Sequence, residues 1–438
     1  MTILHAVTQL QTDPVTSRLN TLLEAGALEI AIKDGALQLA GKTAAEITAE
    51  FGSPLYIYSE RILRRRAREC RRFLQYEPFV PNYSCKANTN VALLQIVHSE
   101  GLHADAMSPG EILLLRAAGF QPNEIFYVGN YVDDAELLYA IKAGVQVSVD
   151  SLAQLERFGR LNPGGQVAVR INPGMGDGHH KKVVTGGAES KFGIWYEDVS
   201  KIKEITARYN LRIAGINQHI GSNYLTGDVY LQTVARLLSI AEQFADLDFV
   251  DFGGGMGIPY KNNTGRLDLV ELGGRVSDML ESWTARYGKR ITAQIEPGRY
   301  VVAESGLLLI TVQALKENPG LSFVGTDGGF NVLARPVMYG SHHEIINTRN
   351  VDNTNGKTVT ICGNICESGD KLAEDRQLAA TAQGDVLAVL DAGAYGFSMA
   401  SNYNSRLRPA EVLITQENSL RLVRERGTLE DLLRHQIY

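Results

Sequence analysis

From residue 54 to about residue 298 the chain alternates short β-type apolar runs with amphipathic helical ones, and that pattern leaves few folds open. The β-type runs are PLYIYS (54–59), VPNYSCK (80–86), GLHADAM (101–107), IFYVGN (125–130), VQVSVDS (145–151), QVAVRINPG (166–174), RIAGINQHIG (212–221), FVDFGGG (249–255) and ITAQIEPG (291–298). Helical stretches such as SPGEILLLRAAGF, DDAELLYAIKAG, SLAQLERFGRL and VYLQTVARLLSIAEQF lie between them. Apolar strands separated by helices predict a parallel sheet covered by helices. Around eight such units closing on themselves make an α/β fold of the (β/α)8 TIM-barrel type, of about 250 residues. Ser108 and Glu111 have the spacing of a capping box at the start of one of the helices.

At 438 residues the chain is too long for one simple core. After about residue 305 the helical signal fades. LLLITVQALKEN, LSFVGTDGG, KTVTICGNIC, DVLAVLDAG, AEVLITQEN and LRLVRERG read as strands between Gly- and Asn-bearing turns. The expected organisation is an N-terminal segment over 1–50, a barrel over 51–305, and a mostly β, sandwich- or barrel-like domain over 306–438. The N-terminal segment carries a helical spacing in LNTLLEAGALEIAIKDG and a second helix, TAAEITAEFG, ending at Gly52. It is expected to pack with the β domain.

A net charge of -6 argues against a nucleic-acid surface. No apolar run approaches the roughly 20 residues of a membrane span, and MTILHAVTQLQTDPVTSRLN lacks the basic start and apolar core of a secretory signal. Cys70, Cys85, Cys362 and Cys366 form no C-x-x-C pair, and four cysteines in this length are no disulfide scaffold. The expectation is a cytoplasmic enzyme with free thiols, no nucleic-acid or membrane partner, and no residue assigned to a metal.

In a barrel the chemistry sits at the C-terminal strand ends. Lys86 ends one strand and Asp105 lies near the end of the next. Arg170 and Asn172 end another; His219, Gly221 and Ser222 a fourth; Gly253, Gly254 and Gly255 a fifth; Glu296, Pro297, Gly298 and Arg299 a sixth. A strand ending in lysine is unusual, because a buried ammonium is costly unless paired or used chemically, for instance as a Schiff-base amine. Glycines at a strand end leave backbone N–H groups open to a phosphate. A buried carboxylate such as Glu296 needs a cationic partner, and a pyridinium nitrogen is one. Each group also has a structural explanation taken alone: a surface lysine, a tight turn, a hydrogen-bonded histidine, a Glu–Arg pair.

In the β domain, DGGFNVLARPVMYGSHHEI carries Arg335 and Tyr339, NICESGD carries Cys366 and Glu367, and DAGAYGFSMASNYNSR carries Tyr395. Together YSCKANTN, INPGMGDGHHKKVVTGGAESKFGIW, HIGSN, DFGGGMGIPY, EPGRYVVAESG, RPVMYGSHHEI, CESGD and GAYGFSMASNYNSRLRPAEVL cover about residues 50 to 415. In these pieces and this order the chain resembles the fold-type III pyridoxal-phosphate decarboxylases.

The resemblance implies pyridoxal 5'-phosphate as cofactor. Lys86 would hold it covalently, His219 would stack on its ring, Glu296 would pair with its nitrogen, and Asp105 and Pro297 would border it. Ser222, Gly253, Gly254, Gly255, Gly298, Arg299 and Tyr395 would surround its phosphate. Arg299, Arg335, Tyr339, Glu367 and Tyr395 would contact an amino-acid substrate, and Cys366 would donate a proton across a homodimer interface. The implied reaction is loss of CO2 from meso-2,6-diaminopimelate to give L-lysine; the alternative is a related decarboxylase acting on ornithine, arginine or a carboxylated polyamine. A more distant alternative is a non-catalytic relative, which would be expected to lack Lys86 or Cys366. Departures from the family pattern are Val332 for an acidic residue, GNICESGD for GPLCESGD, and Gln218 beside the ring-stacking histidine. The stretch 174–193, with its glycines and the basic run His179 to Lys182, reads as a candidate lid or an ordered border of the site.

Overall fold

The computed structural model describes residues 30–176, 178, 185–261, 264–351 and 356–437. The chain divides into two compact units, Arg64–Ile258 with Gly265–Val301, and Met1–Leu63 with Pro259–Thr264 and Val302–Tyr438.

The first unit is the barrel. Eight strands, Phe79–Ser84, His103–Ala106, Ile125–Tyr127, Gln146–Val149, Gln166–Asn172, Arg212–Asn217, Phe249–Asp251 and Thr292–Ile295, run parallel in chain order. The ring closes where Ala293, Gln294 and Ile295 pair with Phe79, Val80 and Pro81. The strands are buried almost throughout, as in Gln166–Asn172, where only the first residue is exposed. That two-sided burial is why they read as continuous apolar runs rather than alternating ones.

Local chemistry sets the intervening helices. Side chains of Asn90, Ser108, Asp133, Ser151 and Asp268 accept from the first-turn amides of five helices. Gly119, Gly144 and Gly288 end three of them in the left-handed conformation. At Ser108 the expected reciprocal box is altered. Ser108 accepts from the Glu111 amide at 3.2 Å, but the Glu111 carboxylate reaches past it to the Met107 amide at 2.6 Å.

The second unit is mostly β. Its central strand is Leu55–Ser59, antiparallel to Gly306–Asn318 on one side and parallel to Ala410–Ile414 on the other. This corrects the assignment of PLYIYS to the barrel and moves the expected boundary at residue 51 to between Leu63 and Arg64. All five residues of the strand are buried, so it carries the same two-sided apolar pattern as a barrel strand. The three-stranded sheet Ile30–Lys33, Ala36–Leu39 and Lys42–Thr43 and the helix Ala44–Phe51 share this unit's core, where Leu37, Leu39 and Ile47 pack with Ile57, Leu309 and Val412. The expected helix in LNTLLEAGAL lies outside the described residues. Among the described residues no helix is long and apolar enough to cross a membrane.

Candidate active site

The strand ends of the barrel converge. Strand Phe79–Ser84 runs into a single turn, Cys85–Ala87, that carries Lys86. The turn is stitched from both sides. Ser84 donates its amide to the Pro297 carbonyl at 3.1 Å and its hydroxyl to Asp105 Oδ2 at 2.8 Å, and Tyr83 donates to the Asn88 carbonyl at 3.1 Å. Lys86 is half-buried, and its charge acts on Asp105, Glu296 and His219. It therefore sits among two carboxylates and an imidazole at the barrel's C-terminal end.

Glu296 is buried, and its Oε1 has no hydrogen-bond partner among the described residues. Burial raises its pKa, while the charges of Lys86 and Arg170 pull it back. Asp105 and Asp251, also fully buried, are pushed up by burial and then by Glu296. Asp251 accepts from the Gly253 amide at 2.7 Å and from Asn82, which also donates to Gln294. Asp105, Asp251 and Glu296 are thus buried together, with the charges of Lys86 and Arg170 acting on Glu296. Asp251 is met by amide donors, which is the environment of a neutral acid.

The glycine turn is required by backbone approach. A Cβ on Gly254 would lie 1.9 Å from the Glu296 carbonyl oxygen, and Gly253, at φ 73°, would place one 2.2 Å from the Gln218 carbonyl oxygen. Gly254 N–H donates to His219 Nδ1 at 3.1 Å. The proton of the neutral ring therefore sits on Nε2. Burial, then Lys86 and Arg170, hold the His219 pKa well below the ordinary 6.5. Because the folded value is the depressed one, the unfolded chain takes up this proton first. The contribution of this group to stability is intact above pH 6.5 and is lost as pH falls from there toward the folded value. The His219 ring nitrogens are accordingly expected to keep neutral Nε2–H shifts from pH 8 to pH 6 by 15N NMR. Titration near 6.5 would contradict this geometry.

Beside the glycines, Arg299 at the start of the short helix Arg299–Val302 donates to Ser222 Oγ at 2.8 Å. Arg170 is a role that strand-end reading did not assign. It faces Asp150 at 3.6 Å, lies 4.5 Å from the Phe192 ring, and acts on both Glu296 and Asp105. Asp150 in turn accepts from the Gly193 amide at 3.2 Å. Of the candidate lid, residues 177 and 179–184 lie outside the described residues. Its end is tied to the strands: Thr185 donates to the His219 carbonyl at 2.8 Å, and Asn172 exchanges hydrogen bonds with Gly187.

The β unit carries the other expected groups. Arg335 is only 2% exposed, its guanidinium 4.5 Å from the Tyr260 ring and 2.7 Å from His343 Nε2. His343 Nδ1 lies 2.8 Å from the Leu390 carbonyl, so Nδ1 holds the proton and Nε2 accepts from Arg335. A neutral histidine orients the arginine without neutralising it. Tyr339 is half-buried at the end of the helix Arg335–Tyr339. Tyr395 has φ 56°, a left-handed conformation that costs a non-glycine residue on the order of 1 kcal/mol and collects at functional sites. Cys366 and Glu367 are exposed on the loop 363–370. Val332, one of the departures, is buried, and its carbonyl accepts from Tyr56 at 2.6 Å. Gln218, another, is fully buried with no hydrogen-bond partner for either side-chain atom.

A lysine, a carboxylate with an unpartnered oxygen, a neutral imidazole and a glycine turn at a parallel-barrel mouth define a pyridoxal-dependent enzyme class. The residues fit that group: Glu296 Oε1 is a buried acceptor for a ring N–H, and Ser222 with Arg299, beside the glycine turn, suits a phosphate. The family model for "Pyridoxal-dependent decarboxylase, pyridoxal binding domain" matches residues 60–303. The diaminopimelate decarboxylase of Methanothermobacter thermautotrophicus is 41% identical over 418 residues, covering 93% of this chain and 97% of the relative. That of Escherichia coli K12 is 35% identical over 402 residues, covering 88% and 94%. The crystal structure of the M. jannaschii diaminopimelate decarboxylase in complex with L-lysine superposes with a TM-score of 0.83 at 32% identity, covering 94% and 98%. The chain belongs to the diaminopimelate decarboxylase family of pyridoxal-dependent decarboxylases.

Proposed function

We propose that this chain is a pyridoxal 5'-phosphate-dependent carboxy-lyase that removes one carboxylate of meso-2,6-diaminopimelate as CO2 and leaves L-lysine. The observation that carries the choice of substrate is Arg335. A guanidinium held by His343 and Tyr260 is a fork for a second carboxylate, and diaminopimelate has a distal carboxylate where ornithine has none.

When bound, pyridoxal phosphate supplies a conjugated ring that accepts the electron pair left by departing CO2. The chain's residues do the rest. Lys86 provides the amine for covalent attachment. Glu296 would accept from the ring nitrogen and favour its protonated form; burial raises the Glu296 pKa, and the charges of Lys86 and then Arg170 oppose that rise. His219 offers a neutral flat face that adds no charge against the ring. Asp105 fixes Ser84, the residue two before Lys86. Ser222, Arg299, the turn Gly253 to Gly255, Gly298 and Tyr395 hold the phosphate. Arg335 and Tyr339 take the distal carboxylate and Glu367 the distal amine. Cys366 holds a proton on Sγ for the carbon that has lost CO2. Because Cys366 and Glu367 are exposed on a single chain, they serve the site of a second copy, and the working unit is a homodimer.

Arg335→Lys tests the substrate reading. It keeps the charge and loses the fork, so kcat/KM for meso-diaminopimelate is expected to fall about 10- to 100-fold, the worth of a charge-assisted hydrogen bond. An unchanged value would remove the distal-carboxylate role.

A further inference from the structure

Three loops of the β unit are tied into one body beneath Cys366. Asp370, at the base of the loop 363–370, is buried and accepts from the Ile365 amide at 2.8 Å and the Phe330 amide at 2.7 Å. The Tyr403 ring packs on Phe330 with centroids 5.6 Å apart, and the Ser401 amide donates to the Asn331 carbonyl at 2.8 Å. The 402–406 segment reaches the tip of the loop, beside the bond from Asn364 Nδ2 to the Asp327 carbonyl at 3.1 Å. Asn404 Oδ1 accepts from the Cys366 amide at 2.6 Å, and Arg406 donates to the Asn364 carbonyl at 3.2 Å.

The 402–406 segment is built for this. Asn402 donates to the Arg406 carbonyl at 2.8 Å, which closes the turn on itself. Asn404 and Ser405 both take φ 54°. Asparagine is among the few side-bearing residues that adopt this conformation readily, and here its side chain is aimed at a backbone amide two loops away. Cys366 and Glu367 are exposed on the single chain and lie on a loop without regular structure, so strand pairing does not fix the thiol. A proton donor must hold its place to well under an ångström, since misplacement by about 1 Å costs on the order of 100-fold.

We propose that Asn404 is a positioning residue for the reaction: its hydrogen bond to the Cys366 amide, braced by Arg406 on Asn364, sets where the Cys366 thiol delivers its proton. This rests on the reading of Cys366 as the proton donor. With pyridoxal phosphate bound, a displaced donor would let the proton reach the cofactor carbon of the same conjugated system in place of the substrate carbon. The amine would then stay on the cofactor as pyridoxamine phosphate, and one water would release the decarboxylated substrate as an aldehyde.

Asn404→Gly keeps the left-handed backbone and removes the acceptor; Asn404→Asp keeps both. Hydrogen exchange of the peptide covering 363–370 is expected to speed about three- to tenfold in Asn404→Gly, the worth of one hydrogen bond, and to stay as wild type in Asn404→Asp. In turnover of meso-diaminopimelate by the holoenzyme, Asn404→Gly is expected to lose kcat about 10- to 100-fold and to accumulate pyridoxamine phosphate, while Asn404→Asp does neither. Unchanged exchange in Asn404→Gly overturns the inference, as does faster exchange with wild-type product partition. Cys366→Ser is the control for the underlying reading. If it forms pyridoxamine phosphate while Asn404→Gly does not, only the positioning role fails. If Cys366→Ser partitions as wild type, the donor reading fails and takes the positioning role with it.

Discussion

Lys86→Ala is expected to abolish turnover, with a loss on the order of 10⁴-fold or more, the scale of deleting a covalent nucleophile. Lys86 lies among Asp105, Glu296 and His219, and its charge acts on all three. Among the described residues no other lysine acts on all three. Borohydride reduction of the wild-type holoenzyme should fix the cofactor to the peptide containing Lys86, and the variant should show no such adduct. The barrel should still fold, because Ser84, Tyr83 and Asn88 all hydrogen-bond around the turn Cys85–Ala87. Retained turnover with the cofactor reduced onto a different lysine would displace Lys86 from its role.

Cys366→Ala carries the second large effect. Removing a positioned proton donor is expected to lower kcat about 10²- to 10⁴-fold, with CO2 release less affected than formation of L-lysine. The variant also reports on assembly. Cys366 is exposed on the single chain, and the proposed dimer gives it a working position in the partner's site. Mixing inactive Lys86→Ala with inactive Cys366→Ala subunits should then restore activity to roughly a quarter of wild type, because half of the random dimers are mixed and each has one complete site. No recovery on mixing, with subunit exchange demonstrated, would place Cys366 in its own chain's site.

Much of the barrel was legible because its strands are buried on both sides and its helices begin at Ser, Asp or Asn and end at Gly. The same signal misplaced PLYIYS. Leu55–Ser59 is a central strand of the β unit, flanked on both edges and wholly buried, and no local property distinguishes it from a barrel strand. Lys86, His219 and Glu296 stood out because a polar group at an apolar strand's end is conspicuous. The company they keep was not legible. That the charges of Lys86 and Arg170 oppose the burial of Glu296, or that Asp251 is met by amide donors, follows from groups on strands far apart in sequence. Likewise Arg335 was visible as an arginine on a loop, but its neutral partner depends on the Leu390 carbonyl fixing the His343 tautomer. Asn404 read as one more polar residue in a small-residue loop until its side chain met the Cys366 amide.

The most direct test of the central claim is turnover by the wild-type holoenzyme, with meso-2,6-diaminopimelate and L-ornithine supplied in parallel and both CO2 and amine products followed. The expected result is L-lysine with one equivalent of CO2 from diaminopimelate and no turnover of ornithine. Turnover of ornithine with diaminopimelate left intact would contradict it.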